Sequence, residues 1–205
     1  MNLPNKITLT RICMIPVFVL VFFLEGILPF NFGIAAILFA LAACTDFIDG
    51  HIARSRGLVT NLGKFLDPIA DKVLVATAMI LLLTMRNSLF ALFGTASDAV
   101  YIATAVGICV ILARELIISA FRQIAAARGV VLAAEKLGKY KTTFQDIAIF
   151  VLILAADIHT PMEYAVPWSS YVAWFGMALF AAATVLTVWS GISYVLKNKQ
   201  VLKDA

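Results

Sequence analysis

Six long apolar stretches succeed one another along the chain, at residues 8–28, 33–53, 66–84, 99–121, 142–156 and 170–196, parted by short polar or proline-bearing connections. Within each stretch the hydrophobic residues run on without the polar alternation of a β-strand. That favours helices over the strands of a membrane barrel, since those two are the structures that satisfy their own backbone in lipid. A spanning helix needs about 20 residues, so six of them consume most of the chain and leave no room for a separate soluble domain. The expected fold is all-α: a polytopic membrane protein of six transmembrane helices with an amphipathic N-terminal segment, forming one domain over residues 1–205.

Composition supports a lipid solvent. Hydrophobic residues make up 62% of the 205 positions and charged ones 14%, against about 25% charged in soluble domains, and the mean hydropathy is +0.98. The net charge of +4 is small, but its placement is lopsided. Assigning the connections to alternate sides puts fifteen of the sixteen Lys and Arg residues on one side and Arg86 alone on the other. The positive-inside rule then predicts a multi-pass protein of the cell membrane with both termini in the cytoplasm. Cys13, Cys44 and Cys109 fall in three different apolar stretches, which describes reduced packing residues and no disulfide framework. The N-terminus lacks a signal-cleavage pattern, so the first apolar stretch is expected to be retained.

Four acidic residues break this pattern. Asp46 and Asp49 close the second stretch and Asp67 and Asp71 open the third, all near the cytoplasmic interface, where buried carboxylates are costly enough to suggest function. At about 100° per residue, Asp46 and Asp49 share one face with Gly50 and Ala53; Gly63, Asp67 and Asp71 share another if their helix is continuous. The alternative is that Asp67, which precedes Pro68, is simply the N-cap of a helix starting there. Two unit charges 6 Å apart repel by about 3 kcal/mol at an effective dielectric of 20, so four convergent carboxylates need protons or cations among them. An all-oxygen donor set favours Mg²⁺, with Mn²⁺ or Ca²⁺ as alternatives, and fits zinc poorly. A cation- or proton-coupled transporter also carries acids in its helices, but it would place them near the midplane and on a repeated framework that this chain lacks.

Asp46, Asp49, Gly50, Ala53, Arg54, Gly63, Asp67 and Asp71 fit the spacing D-x2-D-G-x2-A-R-x8-G-x3-D-x3-D at every position. In this the chain resembles the CDP-alcohol phosphotransferase family. The resemblance implies two Mg²⁺ ions, or Mn²⁺, held by Asp46, Asp49, Asp67 and Asp71 beneath the pyrophosphate of CDP-diacylglycerol, with Asp71 also the general base toward the acceptor alcohol. It places Gly50, Ala53, Arg54 and Gly63 at the CDP-lipid, and Asn5, Thr8 and Arg11 of PNKITLTR with them. It also implies a homodimer embedded in membrane lipids; no nucleic acid is expected as a partner. No covalent enzyme intermediate is required, and nothing near Cys44 in the sequence would activate its thiol.

The acceptor is the open question, because the signature serves several alcohols. Arg114 and Arg122 lie eight residues apart on roughly one helical face, and Lys139 and Lys141 follow. Such a cluster suits an acceptor carrying its own phosphate. The stretches ARELIISAFRQIAAARG and AAEKLGKYKT further resemble the branch of the family that uses sn-glycerol 3-phosphate, with an inositol phosphate as the alternative acceptor. Arg114, Lys139 and Lys141 are the expected phosphate ligands, with Arg122 in support and Glu115 positioning an arginine.

Overall fold

The computed structural model describes residues 3–55, 61–127, 136–159 and 167–199. They form six long helices, α1 (Leu3–Phe22), α2 (Asn31–Ser55), α3 (Asn61–Thr84), α4 (Ser97–Ala127), α5 (Lys136–His159) and α6 (Pro167–Lys197), with a short 3-10 helix, Phe90–Ala96, leading into α4. There is no strand among the described residues. Each apolar stretch has become one helix, so the chain is an all-α membrane protein. Three stretches, Asn5–Phe22, Phe90–Ala126 and Trp168–Lys197, are long and apolar enough to cross a bilayer by themselves.

The sequence places the helix boundaries imperfectly, and the departures have physical causes. The N-terminal segment continues into the first apolar stretch as one unbroken helix, which Pro16 does not interrupt and which ends at Phe22, six residues before the expected end at Leu28. Asn5, Thr8 and Arg11 are buried along it, in line with Ile15, Phe18 and Phe22, while Lys6, Leu9 and Thr10 are exposed, so a row of polar residues turns inward in its first turns. Helix α3 begins at Asn61 and runs continuously through Pro68. Asp67 is therefore inside the helix, which removes its reading as an N-cap. Helix α4 continues six residues past the expected end at Phe121.

The interior is a continuous apolar core built around Phe18, Phe39, Leu74, Leu82, Ile149 and Leu152. Helix α1 packs on α2 and α3, α2 on α5, and α6 lies against both α5 and α4. Phe18 and Phe22 meet Phe39 and Phe32 across the α1–α2 interface with ring centroids 6.1 and 5.2 Å apart. Polar clamps hold the end of the bundle away from the four aspartates. Asn31 Nδ2 donates to the Phe22 carbonyl at 2.9 Å, and Asp157 accepts from the backbone N–H groups of Phe32 and Gly33, a carboxylate at the N-terminus of α2.

The exterior carries large hydrophobic side chains such as Leu20, Leu116, Trp168 and Trp189, as expected of lipid-facing helices. Cys13, Cys44 and Cys109 are free, as expected, but all three are exposed. They therefore lie on the outer, lipid-facing surface and do not pack in the core. Lipid tolerates a thiol as readily as the core does, so an apolar stretch alone does not tell which face a cysteine takes.

Helices α5 and α6 approach closely at Gly176, where a Cβ would stand 2.9 Å from the Leu152 side chain and 3.1 Å from Val151. Overpacking at such a contact costs about 1–3 kcal/mol. Gly176→Ala is expected to lower the thermal midpoint of the detergent-solubilised protein, whereas Gly138→Ala, with nothing within 4 Å of the added methyl, should leave it unchanged or raise it. Differential scanning fluorimetry on the two variants checks this.

Candidate functional site

Five residues, 56–60, join the end of α2 to the start of α3, so the two acid-bearing helix ends belong to one end of the bundle. Counting along the helices gives their depths. Asp49 lies six residues before Ser55 and Asp67 six residues after Asn61, about 9 Å of helix in each case. Asp46 and Asp71 lie nine and ten residues from the same connection, about 14–15 Å. The four aspartates are thus set in two tiers on neighbouring helices. Because α3 is continuous, Gly63, Asp67 and Asp71 recur every fourth residue on one face. The side chains of Asp46, Asp49, Ala53 and Arg54, and the surroundings of Gly50, lie outside the described residues; their backbone belongs to α2.

Helix α1 braces both acid-bearing helices. The Thr8 hydroxyl donates to Asp67 Oδ1 at 2.7 Å, fixing the carboxylate from across the bundle. One turn further along, Arg11, with none of its surface exposed, donates from Nε to Thr45 Oγ1 at 3.1 Å. Thr45 in turn donates to the Ala42 carbonyl at 2.6 Å. A guanidinium buried beside the residue that precedes Asp46 supplies positive charge where the sequence concentrates negative charge, the condition under which buried charges are tolerated. Thr8 was expected at the CDP-lipid; in the structure its hydroxyl is committed to Asp67. Asn5 is buried on the same face of α1.

Asp71 opens on a cavity of about 320 Å³ between α3, α4 and α5. Its polar wall includes Asp71, Lys72, Glu115, Lys141, Gln145 and Asp146, and apolar side chains including Val75, Met79 and Leu112 complete the lining. Lys141 is 1% exposed and donates to Glu115 Oε1. The same oxygen accepts from Arg114 Nη1 at 3.1 Å, and Arg114 Nη2 reaches Ser190 Oγ on α6 at 3.0 Å. Glu115 thus ties α4 to α5, and through Arg114 to α6. Lys72 donates to Ser119 Oγ, which donates to the Glu115 carbonyl at 2.6 Å. Lys141 precedes the apolar stretch that begins at Thr142. Burial and, next, the Arg114 charge push its pKa below the ordinary lysine value, while Asp71 and Asp146 act the other way.

The expected acceptor cluster is therefore divided. Lys141 faces the cavity that Asp71 shares. Arg114 reaches toward α6, where a Cβ on Gly191 would stand 3.0 Å from its Cγ, and meets Lys141 through Glu115. Arg122 donates from Nε to the Tyr194 hydroxyl at 3.2 Å and stacks its guanidinium 5.3 Å above that ring. Lys139 lies outside the described side chains. The predicted common face of Arg114 and Arg122 is present, since their partners Ser190 and Tyr194 are four residues apart on α6. Sequence reasoning missed Gln145 and Asp146 on the cavity wall. The available signal was two adjacent polar residues at the head of an apolar stretch, where each must find a partner.

The chain has close relatives of known name. The sequence model of the CDP-alcohol phosphatidyltransferase family matches residues 1–189. The CDP-diacylglycerol--glycerol-3-phosphate 3-phosphatidyltransferase of Bacillus subtilis is 37% identical over 219 aligned residues, covering 100% of this chain and 98% of that protein. The Escherichia coli protein of the same name is 38% identical over 205 residues, covering 99% of this chain and 98% of its own. With its eight-residue signature intact, its paired aspartates at matched depths and a match along almost its whole length, the chain belongs to the CDP-alcohol phosphatidyltransferase family.

Proposed function

We propose that this protein transfers the phosphatidyl group of CDP-diacylglycerol to sn-glycerol 3-phosphate, forming phosphatidylglycerophosphate and releasing CMP. The observation that carries this reading is that Asp71 and Lys141 line one cavity. A carboxylate that can take a proton from an alcohol then stands in the same space as an ammonium that can hold the phosphate of that alcohol. Uncharged or cationic acceptors would have no use for the ammonium. The full-length similarity to proteins named for this reaction supports the same choice of acceptor.

The chemistry follows from the residues. Lys141, with Arg114 and Lys139, holds the acceptor phosphate by charge-assisted hydrogen bonds, and Glu115 keeps the first two in place before the acceptor enters. Asp71 accepts the hydroxyl proton as the acceptor oxygen bonds to the phosphatidyl phosphorus and the bond from that phosphorus to CMP breaks. Asn5, Gly50, Ala53, Arg54 and Gly63 are assigned to the CDP-lipid. Thr8 acts on that site through Asp67, whose carboxylate it orients. The donor set of Asp46, Asp49, Asp67 and Asp71 is all oxygen and suits two Mg²⁺ ions, with Mn²⁺ able to substitute. When bound, such ions neutralise the pyrophosphate and the departing CMP. The site is assigned to the cytoplasmic face because the basic residues cluster at that end of the bundle. A homodimer belongs to the same proposal.

Release of CMP from CDP-diacylglycerol, measured with a panel of acceptors, tests the reaction. Turnover is expected with glycerol 3-phosphate and not with inositol 1-phosphate or serine, and EDTA should abolish it. A different lipid product would overturn the choice of acceptor. Asp71→Asn should lower kcat by at least about 100-fold, the ordinary contribution of a general base; residual activity near the wild-type level would remove Asp71 from that role. Lys141→Met should raise KM for glycerol 3-phosphate about 10–100-fold, the worth of a hydrogen bond to a charged group. KM for CDP-diacylglycerol should stay within about twofold by the same argument, and equal rises in both would count against Lys141 as a phosphate ligand.

A further inference from the structure

Gln145 is 3% exposed and lies on the wall of the cavity shared by Asp71 and Lys141. Its Oε1 is fully buried and has no hydrogen-bond donor among the described residues. Buried amide oxygens are nearly always paired, and one left over at a cavity wall points to a ligand that supplies the donor. Gln145 follows Lys141 by four residues on α5, so the two side chains stand on one face about 6 Å apart. A small phosphorylated polyol carries its phosphate and a free hydroxyl a few ångströms apart, and both side chains line the one cavity. An acceptor phosphate on Lys141 with its reacting hydroxyl at Asp71 leaves the other hydroxyl to be placed, and the unpartnered amide is where a hydroxyl donor is wanted.

We propose that Gln145 is a specificity-determining residue that accepts a hydrogen bond from the non-reacting, secondary hydroxyl of the acceptor, so that the enzyme distinguishes a phosphorylated polyol from its deoxy analogue. This rests on the assignment of glycerol 3-phosphate as acceptor. A site that pairs a buried group with a substrate hydroxyl rejects the analogue that lacks it, because the buried amide is then left unpaired. Exchange of the amide oxygen and nitrogen would turn the acceptor into a donor at the same place, and the discrimination would be the same.

The test compares kcat/KM for glycerol 3-phosphate and for 3-hydroxypropyl phosphate, which lacks only the secondary hydroxyl. The wild-type protein is expected to favour glycerol 3-phosphate by about tenfold or more. In Gln145→Leu that ratio should fall to within about threefold of unity, and Gln145→Met, which keeps the length of the side chain, should behave alike. A wild-type ratio near unity overturns the inference without any variant. So does a variant that loses activity toward both acceptors equally and keeps the ratio, since that is the mark of a purely structural residue. Absence of wild-type turnover with glycerol 3-phosphate, alongside turnover of some other alcohol, would instead overturn the proposed acceptor.

Discussion

Placing charge below the polar surface of a membrane protein is tolerable only when each charged group meets a partner, and that requirement organises this bundle. Four acids sit at one end of α2 and α3. Around them the chain spends its own polar residues: Thr8 on Asp67, Arg11 on Thr45 beside Asp46, and Glu115 on both Arg114 and Lys141. None of these bonds lies within a single helix turn except the contact of Arg114 with its neighbour Glu115. The others run between helices, so the polar network also sets how α1, α3, α4 and α5 stand relative to one another. Removing one partner would leave a buried charge or acceptor uncompensated, which costs more than the bond itself is worth.

Much of this was written in the sequence, because lipid imposes a simple rule on backbone and side chains alike. Continuous apolar stretches gave the six helices, and the spacing of Gly63, Asp67 and Asp71 gave their common face. What spacing could not supply was the continuity of α3, since Asp-Pro is equally a helix start and a step tolerated inside a membrane helix. The structure decides it through the turns formed upstream of Pro68, from Asn61 onward. The fates of Thr8 and Arg114 were equally illegible. A hydroxyl or a guanidinium in a motif is consistent with binding substrate or with orienting a residue that does, and spacing does not name its partner. Thr8 reaches Asp67, and Arg114 reaches Glu115 and Ser190 on α6.

The buried polar row in the first turns of α1 shows a related limit. In water, a face carrying Asn5, Thr8 and Arg11 would be the outer one; in lipid it is the buried one. Periodicity therefore identifies the face, while the surrounding solvent decides which way it turns. The same reversal accounts for the cysteines, which the apolar pattern could place in the bundle but could not orient.

At the end of the bundle remote from the aspartates, Arg86 donates to Asp98 at 2.8 Å and lies 5.0 Å from the Tyr101 ring centre. The cation of that end is thereby paired with an acid. By the count along the sequence the other fifteen Lys and Arg residues fall toward the end that carries the aspartates, and an excess of positive charge there would draw anionic phospholipids to that side. The protein would consequently gather around itself the kind of lipid it handles, and a bilayer made only of zwitterionic lipid would strip away that local enrichment.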